Sequence, residues 1–260
     1  MLAGVDGAPG LLRHMHLARA LASAALQPPV LPFKLTIALT WRCHHRCVSC
    51  GICRRDKGTE LTAAQWGQVF ASVPDLAWLD LTGGEAPARL DFASIVNNLN
   101  KGCHRIGLVH FPTAGMVPQQ AGTAARALRW PGGPRVLVTV SFDGDRALHD
   151  KLRGVAGAFD RAVQTWRLLQ GVPGVQVVAG LTLQPGNVGQ WPRIAQELAR
   201  HLPGFDLSLL HANLLHRSPH YFGNADAVSA TDAELLADLH AVAAAKAKRW
   251  DPVQAIERAY

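Results

Sequence analysis

Along the chain, short apolar runs rich in β-branched residues alternate with longer segments in which apolar residues recur every three or four positions. That alternation is the signature of βα units around a parallel sheet. Strands are predicted at 34–40, 78–82, 105–110, 135–142, 176–183 and 206–210, and helices beginning near Thr62, Asp91, Val117, Ala158 and Trp191. Thr62 with Gln65, and Thr231 with Glu234, read as capping boxes. Phe159, Ala162, Val163 and Trp166 follow the spacing of a buried helix face and are read as core. Residues 11–26 read as an amphipathic helix stopped by Pro28 and Pro29. Six βα units fall short of the eight that close a barrel. The prediction is therefore an α/β chain: a partial (β/α)6 TIM-like barrel with N-terminal and C-terminal helical additions. Its divisions are 1–32 (helical extension), 33–225 (core domain) and 226–260 (helical segment), and reactive groups are expected just after the strands.

Composition narrows the function classes. A chain of 260 residues, 48% hydrophobic and 17% charged, builds one large cored domain rather than a disordered one. The net charge of +7 is spread thinly, and the densest basic run is Arg54–Arg55, which argues against nucleic-acid binding and leaves a preference for acidic partner surfaces. No signal-peptide order and no apolar run of about 20 residues is present, so no membrane span is expected. Four of the five cysteines cluster, which suits metal or redox chemistry in a reducing cytoplasm better than a disulfide framework.

The cluster is "CHHRCVSCGIC". Cys43, Cys47 and Cys50 form C-x3-C-x2-C directly after the first strand, and Cys53 extends the run to four. Three thiolates leave one metal position open, whereas four close a zinc or iron–sulfur site. Spacing alone leaves both readings standing. After the second strand comes "LTGGEAP", where Gly83 and Gly84 permit close backbone approach and the Glu85 carboxylate accepts hydrogen bonds from an ammonium group. A plain βα turn would account for this segment equally well on its own.

Taken together, these motifs resemble those of the radical S-adenosylmethionine (SAM) enzymes. "TGGEAPARLDF" is similar to the segment after that family's second strand, "PTAGM" stands where relatives carry Thr-Asn-Gly, and "VSFDGDRALHDKLRG" resembles the peptide- and natural-product-modifying branch. The resemblance implies a [4Fe-4S] cluster on Cys43, Cys47 and Cys50, with S-adenosyl-L-methionine on the open iron. It further implies reductive cleavage of SAM to a 5′-deoxyadenosyl radical, which abstracts hydrogen from a peptide or specialised metabolite. By motif position Gly83, Gly84 and Glu85 hold the SAM amino group, Ser141 and Asp143 face its ribose or carboxylate, and Asn187 in "LQPGN" is similar to a polar residue of relatives. For the last three, a cap or turn role is the alternative. A flavodoxin- or ferredoxin-type donor is the expected electron source.

The chain also departs from that pattern. Ser49 stands where the family has an aromatic residue before its last cluster cysteine, Ala114 replaces the Asn of Thr-Asn-Gly, and nothing after Cys103 can ligate an auxiliary cluster. The chain is thus a single-cluster enzyme or a sequence that stops before such an extension. Cys53 matches no family ligand, and Cys103 is read as packing. "HANLLHRSPHYFGNAD" is expected after the sixth strand, where His211, Asn213, His216, His220 and Tyr221 either face the site or cover the barrel end. The rival class is a non-catalytic electron-transfer or zinc-binding protein that uses all four clustered cysteines.

Overall fold

The computed structural model describes residues 8–26, 31–225 and 231–247. Helix α1 (Ala8–Leu26) precedes a regular series: β1 (Lys34–Thr40), α2 (Ala63–Ala71), β2 (Trp78–Gly83), α3 (Phe92–Gly102), β3 (Leu108–Thr113), α4 (Pro118–Ala127) and β4 (Arg135–Ser141). The chain continues through α5 (Arg146–Arg153), α6 (Ala158–Gln170), β5 (Val175–Leu183), α7 (Trp191–His201), β6 (Leu210–Leu214) and α8 (Asp232–Ala247). All neighbouring strands pair in parallel in the order β1-β2-β3-β4-β5-β6. An order that never reverses puts the crossover helices on one face, so the sheet curls towards a barrel.

The two faces of that sheet differ in chemistry. Leu79, Leu81, Val109, Phe111, Val136, Val138 and Val140 are essentially without solvent exposure and pack under the helices with Phe70, Phe159 and Trp166. The alternate residues line the concave face, where Trp78, Leu108 and Leu137 surround a polar cluster. The Asp80 carboxylate accepts hydrogen bonds from Trp78 Nε1 (2.8 Å), His110 Nδ1 (3.0 Å) and Thr36 Oγ1 (3.1 Å), and lies 3.2 Å from Lys34 Nζ. His110 Nε2 meets Thr139 Oγ1 at 2.9 Å. Burial would push the Asp80 carboxyl up, but His110, Lys34 and Trp78 together hold it below the ordinary value.

Most predicted elements are where the pattern puts them, including both capping boxes. Pro28, Pro29 and most of the predicted 226–260 segment lie outside the described residues, apart from α8. Three differences matter. β3 starts three residues late because the chain turns at 104–105, where the Ile106 amide donates back to the Cys103 carbonyl (3.4 Å), and it runs on through Pro112. Its pairing with β2 has ended at His110, so a residue without an N–H is tolerated beyond that point. At the sixth unit Asp206 accepts the Ser208 amide at 2.7 Å and bends 207–209 into a tight helical turn, which displaces β6 to Leu210–Leu214. His211 and Asn213 are consequently strand residues lining the concave face, not part of a loop after it. Helix α5 was not expected, although Asp145 caps its start and Gly154, at φ +66°, ends it.

Candidate functional site

The loop leaving β1 carries the cysteines and is pinned on both sides. Thr40 Oγ1 and the Trp41 amide donate to Glu60 Oε1 at 2.5 and 3.3 Å, and Arg89 ties the Leu39 carbonyl (2.7 Å) to the Asp91 carboxylate. The turn after β2 presses against the same loop: Gly84 N–H donates to the Thr40 carbonyl at 2.6 Å and Glu85 N–H to the Arg42 carbonyl at 2.8 Å. A Cβ at Gly83 would sit 2.2 Å from the Thr40 oxygen, and one at Gly84 2.2 Å from the Arg42 oxygen. The paired glycines are thus required by the chain's own close approach beside Cys43.

On the other side, the Arg46 and Val48 amides donate to the Arg153 and Leu152 carbonyls at the end of α5, at 3.0 and 2.9 Å. Arg153 is the hub there. Its Nη2 is 2.9 Å from Asp143 Oδ2 and its Nη1 points at Cys47 Sγ, 3.9 Å away. Asp143 Oδ1 accepts the Thr182 amide at 3.0 Å. Asn187, fully buried, donates Nδ2 to the Asp143 and Thr182 carbonyls and accepts the Gln184 amide, each at 2.9 Å. It thus ties the Asp143 carbonyl to the end of β5 and the turn after it. Ser141 ends β4, half-buried, one layer above Thr139.

Glu85 is buried and faces the end of β3, where Oε1 accepts Thr113 Oγ1 at 2.6 Å and Oε2 the Ala114 amide at 3.0 Å. Burial raises its carboxyl against those bonds and the charge of Arg153. The Ala114 backbone therefore does serve a polar role that its side chain cannot.

Cys43, Cys47 and Cys50 are half-buried, and each thiol's pKa is raised, first by burial. Cys43 is pushed up to about 12, with Glu85, Cys47 and Cys50 adding to the effect and a backbone hydrogen bond opposing it. Cys50 in turn is raised by Cys47 and by Cys53, and Cys47 by Asp143, while Arg153 opposes the rise at both. Cys53 lies on a tight helical turn, Ile52–Arg54. Cys103 is buried under α2, its thiol 3.5 Å from the Phe70 carbonyl, as packing requires.

Two buried histidines flank the hub. His149, one turn before Arg153 on α5, accepts the Asp143 amide at Nδ1 (3.0 Å), while its Nε2 has no protein partner. Both ring nitrogens of His45 and the Nε of Arg153 are likewise buried without one. Among the described residues, no three Cys, His, Asp or Glu side chains close round a single metal-ion position. Arg153, His149 and Glu60 were not singled out from sequence; Arg153 and His149 fall within a quoted motif, yet nothing in the linear order links them to Cys47 or Asp143.

The concave face below this rim encloses a mostly apolar cavity of about 550 Å³ near the N-terminal ends of the strands, bordered by Trp78, Asp80, His110 and Thr139 of the sheet, Leu17 of α1 and Leu239 of α8. Its volume falls in the range of small-molecule clefts.

The six-stranded, singly wound sheet with a cysteine loop after β1 has the fold of solved enzymes that resemble it only distantly in sequence. The chain is 26% identical over 183 residues to the sporulation killing factor maturation protein SkfB of Bacillus subtilis (strain 168), covering 65% of this chain and 40% of SkfB. Among solved structures, SuiB of Streptococcus suis bound to its precursor peptide SuiA matches with a TM-score of 0.63 and 15% identity, over 88% of this chain and 48% of SuiB. The structure of anSMEcpe bound to AdoMet and the Kp18Cys peptide matches at 0.57 and 15% identity, over 70% and 51%. Methylornithine synthase (PylB) matches at 0.57 and 16% identity, over 85% and 64%. No family model matches the chain. The resemblance read from the motifs is borne out, and the chain spans about half the length, or less, of SkfB, SuiB and anSMEcpe and 64% of PylB. No described helix is long and apolar enough to cross a membrane.

Proposed function

We propose that this chain is the core of a radical SAM enzyme in which Cys43, Cys47 and Cys50 hold a [4Fe-4S] cluster. The observation that carries the reading is the cysteine loop itself: Cys43, Cys47 and Cys50 on one half-buried loop after β1, at the C-terminal edge of a singly wound sheet, braced by the Gly83-Gly84 turn and by Arg153. A zinc site draws its ligands to one ion at about 2.0–2.3 Å. A cluster takes each thiolate on a different iron. When bound, the cluster and SAM supply a 5′-deoxyadenosyl radical for hydrogen abstraction.

The protein's own part is to bind, orient and exclude water. In this reading Gly83, Gly84 and Glu85 border the SAM amino group, and Ser141 and Asp143 face its ribose or carboxylate. Asn187 acts through Asp143, whose carbonyl it fixes. The Arg153 guanidinium offsets negative charge at Cys47 and Asp143. A peptide substrate is supported by the maturation role in the name of SkfB and by the peptides bound to SuiB and anSMEcpe. An acidic flavodoxin or ferredoxin is suited to bring the electron to a chain of net charge +7.

Anaerobically reconstituted protein with a strong reductant is expected to release 5′-deoxyadenosine from SAM. Cys50→Ala should lose both iron and cleavage, while Cys53→Ala keeps both. Equal loss in the two variants would favour a four-cysteine binding protein instead.

A further inference from the structure

We propose that the cavity at the N-terminal ends of the strands is a separate binding site, built for an elongated apolar carboxylate of the kind a medium-chain fatty acid presents. It lies at the opposite end of the sheet from the cysteine loop, and the function proposed above leaves it without a role.

The walls of this cavity are pinned in place. On one side stands α1, where Arg13 Nη1 donates to the Ile106 carbonyl at 3.3 Å and His16 Nε2 lies 3.0 Å from the Asp75 carbonyl. The helix is seated on Gly107, since a Cβ there would stand 2.7 Å from the Arg13 oxygen and 2.9 Å from Leu17 Cβ. On the other side α8 runs beside β6, with Lys246 Nζ donating to the Leu210 carbonyl at 2.8 Å and Asp238 Oδ2 accepting the Gly189 amide at 2.7 Å. A closed barrel fills its interior with layers of its own side chains. Here Leu17 and Leu21 of α1 and Leu239 of α8 face Trp78, Leu108 and Leu137 of the sheet across about 550 Å³ that no described side chain fills.

Charge decides which amphiphile fits. Asp80 is the acid bordering the cavity among the described residues, and both of its oxygens are spent. Oδ1 accepts Trp78 Nε1 and His110 Nδ1, while Oδ2 accepts Thr36 Oγ1 and pairs with Lys34 Nζ. A carboxylate offers about four acceptor sites, so an incoming ammonium would have to evict one of these donors. Arg135, at the start of β4, is the reverse case. It is exposed at the mouth, gives one N–H to the neutral Gln176 amide oxygen at 3.1 Å, and pairs with no carboxylate among the described residues. The remaining N–H groups of its fork are matched to a carboxylate. The His14 pKa is lowered by burial and then by the Arg135 charge, so α1 and β4 meet at this same mouth. A carboxylate on Arg135 leaves its apolar chain to run inward against Trp78 and the leucines.

The test is calorimetric titration of the reconstituted protein with octanoate, decanoate and decylamine. Decanoate is expected to saturate at one per chain and to bind up to about fifteen-fold more tightly than octanoate, because each buried methylene is worth about four-fold. Decylamine should bind more weakly than decanoate by roughly five-fold or more. Arg135→Gln should weaken decanoate about three-fold and spare decylamine. Leu21→Trp, which fills the cavity from the half-buried side of α1, should weaken decanoate on the order of ten-fold. SAM should not compete. Absence of saturable decanoate binding, decylamine binding as tight as decanoate, full decanoate affinity in either variant, or displacement of decanoate by SAM would overturn the assignment. The same titration on protein without its cluster is expected to give the same result, so failure of the radical SAM reading is told apart from failure of this one.

Discussion

Replacing Arg153 by Met tests whether one side chain joins the cysteine loop to the end of β4. In the wild type the guanidinium is 13% exposed and its partner Asp143 6%, with 2.9 Å between them. Burial works against the Arg153 charge, and Asp143 and then Cys47 more than restore it. Removing the cation leaves Asp143 buried with the Thr182 amide as its remaining donor to the side chain. Breaking one partner out of such a pair costs about 3–5 kcal/mol. Met keeps much of the stem's volume, so this figure reads mainly the uncompensated charge. Arg153→Lys should cost less, because an ammonium keeps the charge but cannot fork between Asp143 and Cys47. The double variant Asp143→Asn with Arg153→Met should recover about 2 kcal/mol relative to the sum of the single ones. Urea unfolding of the metal-free proteins measures all four. A cost below about 1 kcal/mol for Arg153→Met, or plain additivity in the cycle, would refute the hub.

Gly84→Ala places a methyl 2.2 Å from the Arg42 oxygen and 3.1 Å from Cys43 Cβ. It is expected to displace the cysteine loop and cut iron retention after desalting, whereas full iron would show that the turn yields. Asn187→Ala strands the Gln184 amide and relaxes two carbonyls, at about 1–3 kcal/mol; an unchanged unfolding midpoint would contradict this. Burial, then Arg153 and His45, hold the His149 pKa well below normal. The unfolded chain therefore takes up a proton below about pH 6.5 that the native state refuses, and stability present above that pH is lost as pH falls, by up to about 1.4 kcal/mol per unit. His149→Gln keeps an acceptor for the Asp143 amide and should flatten this slope between about pH 6.5 and 5. An identical slope would mean that His149 is protonated in the fold at no cost.

The site was legible where its residues are neighbours in sequence and opaque where they are not. Cys43, Cys47 and Cys50 declare themselves by spacing, and Gly83 and Gly84 by type. Nothing local says that those glycines are shaped to clear the Thr40 and Arg42 carbonyls. Arg153 meets Cys47 across 106 positions, and Tyr221 meets Thr82 across 139. Such pairings arise from how the strands stack side by side, which no window along the chain contains. Strand positions failed for local reasons. Pro112 hid the end of β3, and the Asp206 side chain captured an amide that an extended strand would have used. The helix α5 carries its caps openly in Asp145 and Gly154, but its eight residues are too short for periodicity to register. The polar cluster on the concave face was hidden too, since Asp80, His110 and Thr139 look like interruptions until their strands are aligned.

The central claim is an open iron on a three-cysteine cluster, and the electron paramagnetic resonance spectrum of the reduced, reconstituted protein tests it most directly. The account predicts about four irons per chain and a signal that shifts when SAM is added. Zinc in place of iron, or a reduced cluster whose signal is indifferent to SAM, would contradict it.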